Sequence, residues 1–466
     1  MKPICNNYSG IYVKFLVALF IGGFYSVASI AQPQKKNFDQ HIRILEEIEV
    51  DSVTSDFPVE FSMVNSRKWQ FIAYYNKNRE LTVASRKLAK KKWNYAILPT
   101  KVGWDSHNSI AMALDKNNCL HISGNMHADS MVYFKTSLPN DIATFEKIVP
   151  IVSSADELKC TYPVFIKDPN NRLVYSYRKG GSGNGNTILN SYNEKKSTFS
   201  RLTDQPLFDG LGEMSAYPGG PIVGPDGYYH IYWLWRDTPR CETNHDLSYA
   251  RSKDLIHWET LNATKILLPI TPMNKVVTVD PVPAKGGAIN GASYLFFDPN
   301  KQPLIAYMKY DSLGISQIYI AKAIDKKWKI SLVSNWDYRW DFSGSGTMER
   351  EIKINEAKVL PDGKIKIKYW HIKKGYGELL IDKTNLTLIA DNLINPDEDL
   401  EYPLPLMEPV SKIEGMSVKW LKTPSSASPK EYYGLRWETS GIQRYNQKPE
   451  KAVTPSLMKL YRFSKD

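Results

Sequence analysis

DGYYHIYWLWR, residues 226–236, decides how the rest of this chain is read. A polar turn built on Asp and Gly leads into a short apolar and aromatic run, which ends on a charged residue. That is a tight turn feeding a buried β-strand. Six further stretches share it: NSRKWQFIAYYN (65–76), DKNNCLHISGNMH (115–127), DPNNRLVYSYR (168–178), DPNKQPLIAYMKYD (298–311), DGKIKIKYWH (362–371) and SPKEYYGLRW (428–437). Seven such units, spaced by roughly 50–70 residues, predict blades of four short antiparallel strands around an axis: an all-β fold, a seven-bladed β-propeller. No Gly/Ser or Pro linker and no block of like charge interrupts them, so residues 32–466 are expected to form a single domain. Only residues 40–49 (QHIRILEEIE) carry a pattern open to either a short helix or a strand.

The composition, 12% aromatic and 42% hydrophobic over 466 residues, belongs to a folded chain. Residues 1–31 read as a signal peptide: Lys14 precedes the apolar run Phe15–Phe24, and Ser29-Ile30-Ala31 offers a small-residue cleavage site. The run is short for a bilayer span. We therefore expect a secreted or periplasmic protein, monomeric and without membrane insertion after signal removal. The formal charge is +11, or +9 without Lys2 and Lys14 of the signal. For an exported protein that excess argues against nucleic acid and for an anionic polymer such as an acidic polysaccharide. Cys119, Cys160 and Cys241 remain after processing. Their odd number leaves at least one outside any internal bridge, while Cys119 and Cys160 could pair.

Working outward, the stretch WDSHNSIAMALDKNNCLHISGNMHADSMVYFK (104–135) predicts a hairpin, with strands at Ile110–Leu114 and Leu120–Ile122 around a turn at Asp115–Asn118. His107 and His127 lie just outside those strands, where side chains can face a cleft, with Asp105, Asn108 and Asn125 beside them. If the repeat strands are innermost, their last residues converge at one end of a channel: His127, Arg178, Arg236, Lys309 or Asp311, His371 and Arg436. So many cations together call for an anionic ligand. A uronate-bearing sugar can be cleaved by β-elimination, which needs a base, an acid and positive partners for the developing carboxylate dianion. His107, His127, Tyr162 and Arg178 are the candidate catalytic residues; Asn108, Asn125, Tyr217 and Arg236 are the candidate substrate-binding ones. The glycines after Arg178, in GGSGNG, would let backbone approach a bulky substrate. A second dense cluster, HIYWLWRDTPRCETNHDLSYARSKDLIHWE (230–259), offers His230, Cys241, His245 and His257. One thiolate and three imidazoles suit tetrahedral zinc, and four protein ligands would make that zinc structural.

WDSHN…LHISGNMH, the TYP…YSYR…GSGNG run and WRDTPRCETNHDLSYARS together resemble the BNR-type repeat proteins that include polysaccharide lyase families 24 and 25, the ulvan lyases. The resemblance runs from about residue 60 to 345 and is looser beyond. It implies a seven-bladed propeller that cleaves at uronic acid by β-elimination, with two histidines, a tyrosine and an arginine in the active site and a structural zinc. Carried over by position, His107 and His127 match the histidine pair, Arg178 the carboxylate neutraliser and Tyr162 the tyrosine, with His107 as its counterpart as base or acid. The Cys241/His245 segment matches the zinc site. The expected function is a lyase on ulvan or a similar sulfated, uronic-acid-containing polysaccharide, giving unsaturated uronyl ends. Three alternatives stand beside it. SKDLIHWE (252–259) fits a glycoside hydrolase, for which Asp105, Asp237 and Asp280 are the available carboxylates. A lyase on rhamnose–glucuronate linkages and a non-catalytic sugar-binding propeller are the others.

Overall fold

Tyr229–Arg236, the strand of the deciding stretch, is buried along nearly its whole length. The same holds for Trp69–Tyr75, Leu120–Ser123, Pro303–Tyr310 and Glu431–Thr439 and for most of Leu173–Gly181, whereas Ile365–His371 (IKIKYWH) alternates buried and half-buried residues. A strand covered on both faces has no need of alternating polar residues, so all but Ile365–His371 read as continuous apolar and aromatic runs. The computed structural model describes residues 42–395, 401–425, 428–441, 447–448 and 453–465. The predicted signal segment, 1–31, lies outside the described residues. The strands belong to a unit spanning His41–Asp466.

Among the described residues the strands form six sheets, five of four strands and one of eleven. In each, the repeat strand sits one place in from the strand that precedes it in sequence, as Trp69–Tyr75 sits between Ser62–Asn65 and Glu80–Lys87. The condition under which the sequence brought their last residues to one channel end, that the repeat strands be innermost, is not met. It is the preceding strands that meet across sheets. Ser62–Asn65 lies against Ser417–Pro424 and Ala111–Leu114, Ala111–Leu114 against Cys160–Lys167, and Ser293–Phe297 against Ile352–Val359. The eleven-stranded sheet is two such groups joined by one parallel bridge, Gly185 to Ser215.

The segment open to helix or strand is strand from Ile42 to Val53, and it pairs antiparallel with Ser456–Lys465 near the other end of the chain. Leu460 is fully buried in that last strand, opposite Ile48 on one side and Leu435 on the other. Leu460→Ala is expected to cost about 2–5 kcal/mol, because the cavity opens in the seam that pairs Ile42–Val53 with Ser456–Lys465. A denaturant-unfolding midpoint shifted by less than about 1 kcal/mol would show that this seam carries little of the stability. Cys119 and Cys160 form no bridge; both are buried thiols, and burial pushes that of Cys160 up to about 12.

Candidate active site

The hairpin predicted around Asp115–Asn118 is present as Ala111–Leu114 and Leu120–Ser123. Asp105–Asn108 is the turn leading into it. Three contacts hold this turn: Tyr75 Oη donates to the Asn108 carbonyl at 2.7 Å, Ser106 Oγ lies 2.7 Å from Thr347 Oγ1, and the Arg79 guanidinium stacks 3.8 Å over Trp104. After the hairpin the chain changes sheets. His127–Asp129 leaves its neighbours and pairs with Cys160–Thr161, which brings His127 beside Tyr162. Tyr162 itself sits at a bulge between Thr161 and Val164, with φ of 54°. A tyrosine in the left-handed region is strained, and a bulge re-aims a side chain; together they turn Tyr162 out of the strand's alternation.

Asp105 joins the two imidazoles. His107 Nδ1 donates to Asp105 Oδ1 at 2.7 Å, and His127 Nδ1 donates to Oδ2 at 2.5 Å. Burial pushes the Asp105 carboxyl up, but the hydrogen bonds from His107 and His127 outweigh it and hold the group well below the usual carboxylate range. An ionised carboxylate only accepts hydrogen bonds, so both Nδ1 atoms carry hydrogen, and Nε2 is the nitrogen left to face a substrate. The rings stack 4.3 Å apart, each 6.3 Å from the ring of Tyr162.

On the far side of Tyr162 are the arginines. The Arg178 guanidinium lies 4.9 Å over the Tyr162 ring and donates to Tyr217 Oη at 3.2 Å and Thr161 Oγ1 at 3.3 Å; its buried Nε has no partner. Arg236 lies 3.9 Å over the Tyr217 ring and is held by Asn244 and Asn290. Among the described residues neither arginine has a carboxylate partner. Tyr162, Arg178 and Tyr217 line a cavity of about 360 Å³ with Pro218, Asn290 and Gly291. Burial first, then the neighbouring Tyr217, raises the Tyr162 phenol; Arg178 and Arg236 pull it back only in part, although 36% of the residue stays open to the cleft.

His107, His127, Tyr162, Arg178, Tyr217 and Arg236 are thus brought together, while two other candidates serve the scaffold. Asn125 takes φ of 57° and donates to Thr100 Oγ1 and the Lys101 carbonyl; Asn108 is buried behind the turn. The wider cationic ring does not form. Lys309 pairs with Asp280 at 2.6 Å, Arg436 pairs with Glu438 at 2.9 Å, and His371 is buried against Trp336 and Tyr338. The glycines after Arg178 serve the hairpin. A Cβ on Gly183, at φ +72°, would stand 2.4 Å from the Thr238 backbone, and one on Gly185 would meet the Arg178 side chain at 3.1 Å. His121, within the same sequence stretch, is fully buried and bonded to Tyr133 and Asp115. The sequence named Asp105 as a neighbour of the histidines but missed its linking role, legible as Asp-x-His; Arg350 it did not single out at all.

The predicted zinc set is not assembled. His230 pairs with Arg251 and His245 with Trp235, five residues apart along the same hairpin, or roughly 16 Å. His230 is consumed by Tyr249 Oη at 2.6 Å and Asp226 at 2.9 Å, and His257 by Asp254 at the surface. Cys241 packs in an apolar cluster with Ile289 and Trp336, and Asp237 and Asp246 flank His245. Among the described residues the group able to offer a metal three ligand atoms within 4.8 Å is Asp105, His107 and His127. A closed four-ligand zinc site is not matched there, and Asp105 is already engaged by both Nδ1–H groups. The hydrolase carboxylates are also taken, Asp105 by the histidines, Asp237 by His245 and Asp280 by Lys309 and Tyr307.

A family model described as a BNR repeat-containing family member matches residues 69–336. A curated ulvan lyase, long isoform, from Glaciecola sp. (strain KUL10) is 26% identical over 137 residues, 21% of this chain and 14% of that protein. The chain thus spans about a seventh of the length of that relative. Among solved structures, the polysaccharide lyase Uly1 superposes with a TM-score of 0.60 at 12% identity, covering 91% of this chain and 99% of that one. A polysaccharide lyase described as a PL25 ulvan lyase bound to -[GlcA(1-4)Rha3S]- superposes with a TM-score of 0.54 at 12% identity, covering 90% and 96%. At that identity the likeness concerns the fold.

Proposed function

We propose, from the premise that this chain belongs to the BNR repeat-containing family, that it is an exported polysaccharide lyase acting on ulvan or a similar sulfated uronic-acid polymer. The observation that carries the reading is the set itself: two imidazoles pinned by Asp105 face Tyr162, with Arg178 over its ring and, among the described residues, no acid paired with that arginine. The reading also takes the sheets as seven blades of a propeller, the five four-stranded sheets and the two halves of the eleven-stranded one. Pairing of Ile42–Val53 with Ser456–Lys465 would then close the ring. The likeness to solved ulvan lyases supports that architecture.

The chemistry follows from the site. A uronate carboxylate docks on Arg178, whose orphaned Nε is ready to donate. The Nε2 lone pair of His107 or His127 removes the proton on the carbon beside the carboxylate. Its electron pair forms the carbon–carbon double bond, the glycosidic carbon–oxygen bond breaks, and Tyr162 gives its proton to the leaving oxygen. Arg178 and the hydroxyl-rich wall stabilise the carboxylate dianion that develops between these steps. Proton return from imidazolium to phenolate through water restores the site. No step is routed through a metal ion at Asp105, His107 and His127.

Ultraviolet absorbance of the protein with ulvan should rise as unsaturated uronate forms, and His107→Ala should lower the rate by about 10²–10⁴. New reducing ends without that absorbance would move the case to hydrolysis. Neither signal, with binding retained, would leave a sugar-binding protein.

A further inference from the structure

Arg350 lies in the irregular stretch between the strands Lys327–Leu332 and Ile352–Val359, outside every repeat. Its guanidinium packs on the cleft wall: a Cβ on Gly291 would stand 3.0 Å from Arg350 Nη2, and Gly291 and Asn290 line the cavity. Asn290 in turn accepts a hydrogen bond from Arg236 Nη2. Among the described residues Arg350 makes no ion pair, and its buried Nη1 has no hydrogen-bond partner. Burial, and then the positive charge of Arg236, work against its own charge. The contacts that join Arg178, Arg236 and Arg350 to the cleft run through Tyr217, Asn290 and Gly291, all neutral. Three uncompensated guanidiniums are costly to hold together unless a ligand repays the cost.

One uronate carboxylate can answer one arginine. We propose that Arg350, with Arg236 beside it, forms a second anion subsite, which takes an ester sulfate on the sugar next to the uronate; this rests on the lyase reading above. The planar fork of an arginine fits either a sulfate or a carboxylate. In a polymer that alternates uronate with another sugar, a sulfate on that neighbour is the nearer anion, since a second carboxylate is a whole repeat away.

The test is equilibrium binding of native and chemically desulfated ulvan oligosaccharides to the His107→Ala protein, which leaves the ligand uncut, with and without Arg350→Gln. The added substitution should weaken binding of the native oligosaccharide about tenfold or more and leave the desulfated one within about twofold. Arg350→Lys, which keeps the charge and loses the fork, should recover part of the difference. It also carries the comparison if circular dichroism shows that Arg350→Gln does not fold. Equal losses on both ligands, or no loss on the native one, would overturn the subsite. Ultraviolet absorbance of the unsubstituted protein on the same oligosaccharides judges the lyase reading separately. Sulfate-dependent loss without elimination sinks that reading and leaves the subsite; elimination without sulfate-dependent loss does the reverse.

Discussion

Asp105→Asn is expected to lower kcat on ulvan by about 10²–10⁴ while KM stays within a few-fold. The carboxylate accepts from both imidazoles at once, 2.7 Å from His107 Nδ1 and 2.5 Å from His127 Nδ1. An asparagine in its place offers one oxygen and one NH₂. The ring that meets the NH₂ must accept at Nδ1, so its hydrogen moves to Nε2 and the lone pair aimed at the substrate is lost. The ring that meets the oxygen keeps its tautomer but loses a charge-assisted bond. Arg178, Arg236 and Tyr217 are untouched, which is why binding should survive. Asp105 thus acts as a positioning residue, and the split between kcat and KM separates that role from a scaffold role. Nitrogen chemical shifts of the two imidazoles give a second readout, since a tautomer change moves them where a packing defect would not. Activity within about threefold of the parent, with shifts unchanged, would show that the rings do not depend on Asp105.

What the sequence disclosed, and what it concealed, follows from the same geometry. Repeat strands such as Trp69–Tyr75, Tyr229–Arg236 and Glu431–Thr439 are covered on both faces, so their residues form apolar and aromatic runs that can be read along the chain. The strand before each carries a mixed pattern, as in Ser215–Val223, and does not announce itself, so the sequence could not tell which strand of a sheet meets its neighbours. His107 and His127 were legible because polar residues at strand ends, next to Asp and Asn, have no packing reason to be there. Their meeting was not, because it depends on a strand of three residues, His127–Asp129, crossing to the next sheet. The zinc set failed for the opposite reason. A hairpin spreads residues that are near in sequence, so a density of His and Cys between 230 and 257 is not a density in space. Arg350 stands in an irregular segment with no periodicity, and only tertiary structure carries it to Gly291.

Tyr162→Phe is expected to cost about 10²–10⁴ in kcat and to remove the alkaline limb of the pH–rate profile. The ring would remain, so its contact with Arg178 at 4.9 Å and the bulge that aims it should persist, and KM should change little. What disappears is the proton. Burial and the neighbouring Tyr217 raise the phenol above its ordinary 10.0, with Arg178 and Arg236 opposing in part. A raised value means that the hydroxyl keeps its proton through neutral and mildly alkaline solution and releases it only when pH climbs past that value. An acid in that state is active below its pKa and fails above it, so the rate should hold across the neutral range and fall on the far alkaline side. A base would behave in the opposite sense: the phenolate would have to form first, and the rate would climb with pH towards the same value. The sign of the alkaline slope therefore assigns Tyr162. A falling limb that Tyr162→Phe abolishes gives it the leaving-group proton and leaves abstraction to an imidazole held by Asp105. A rising limb would exchange the roles, and Asp105 would then serve to hold a protonated histidine as the acid.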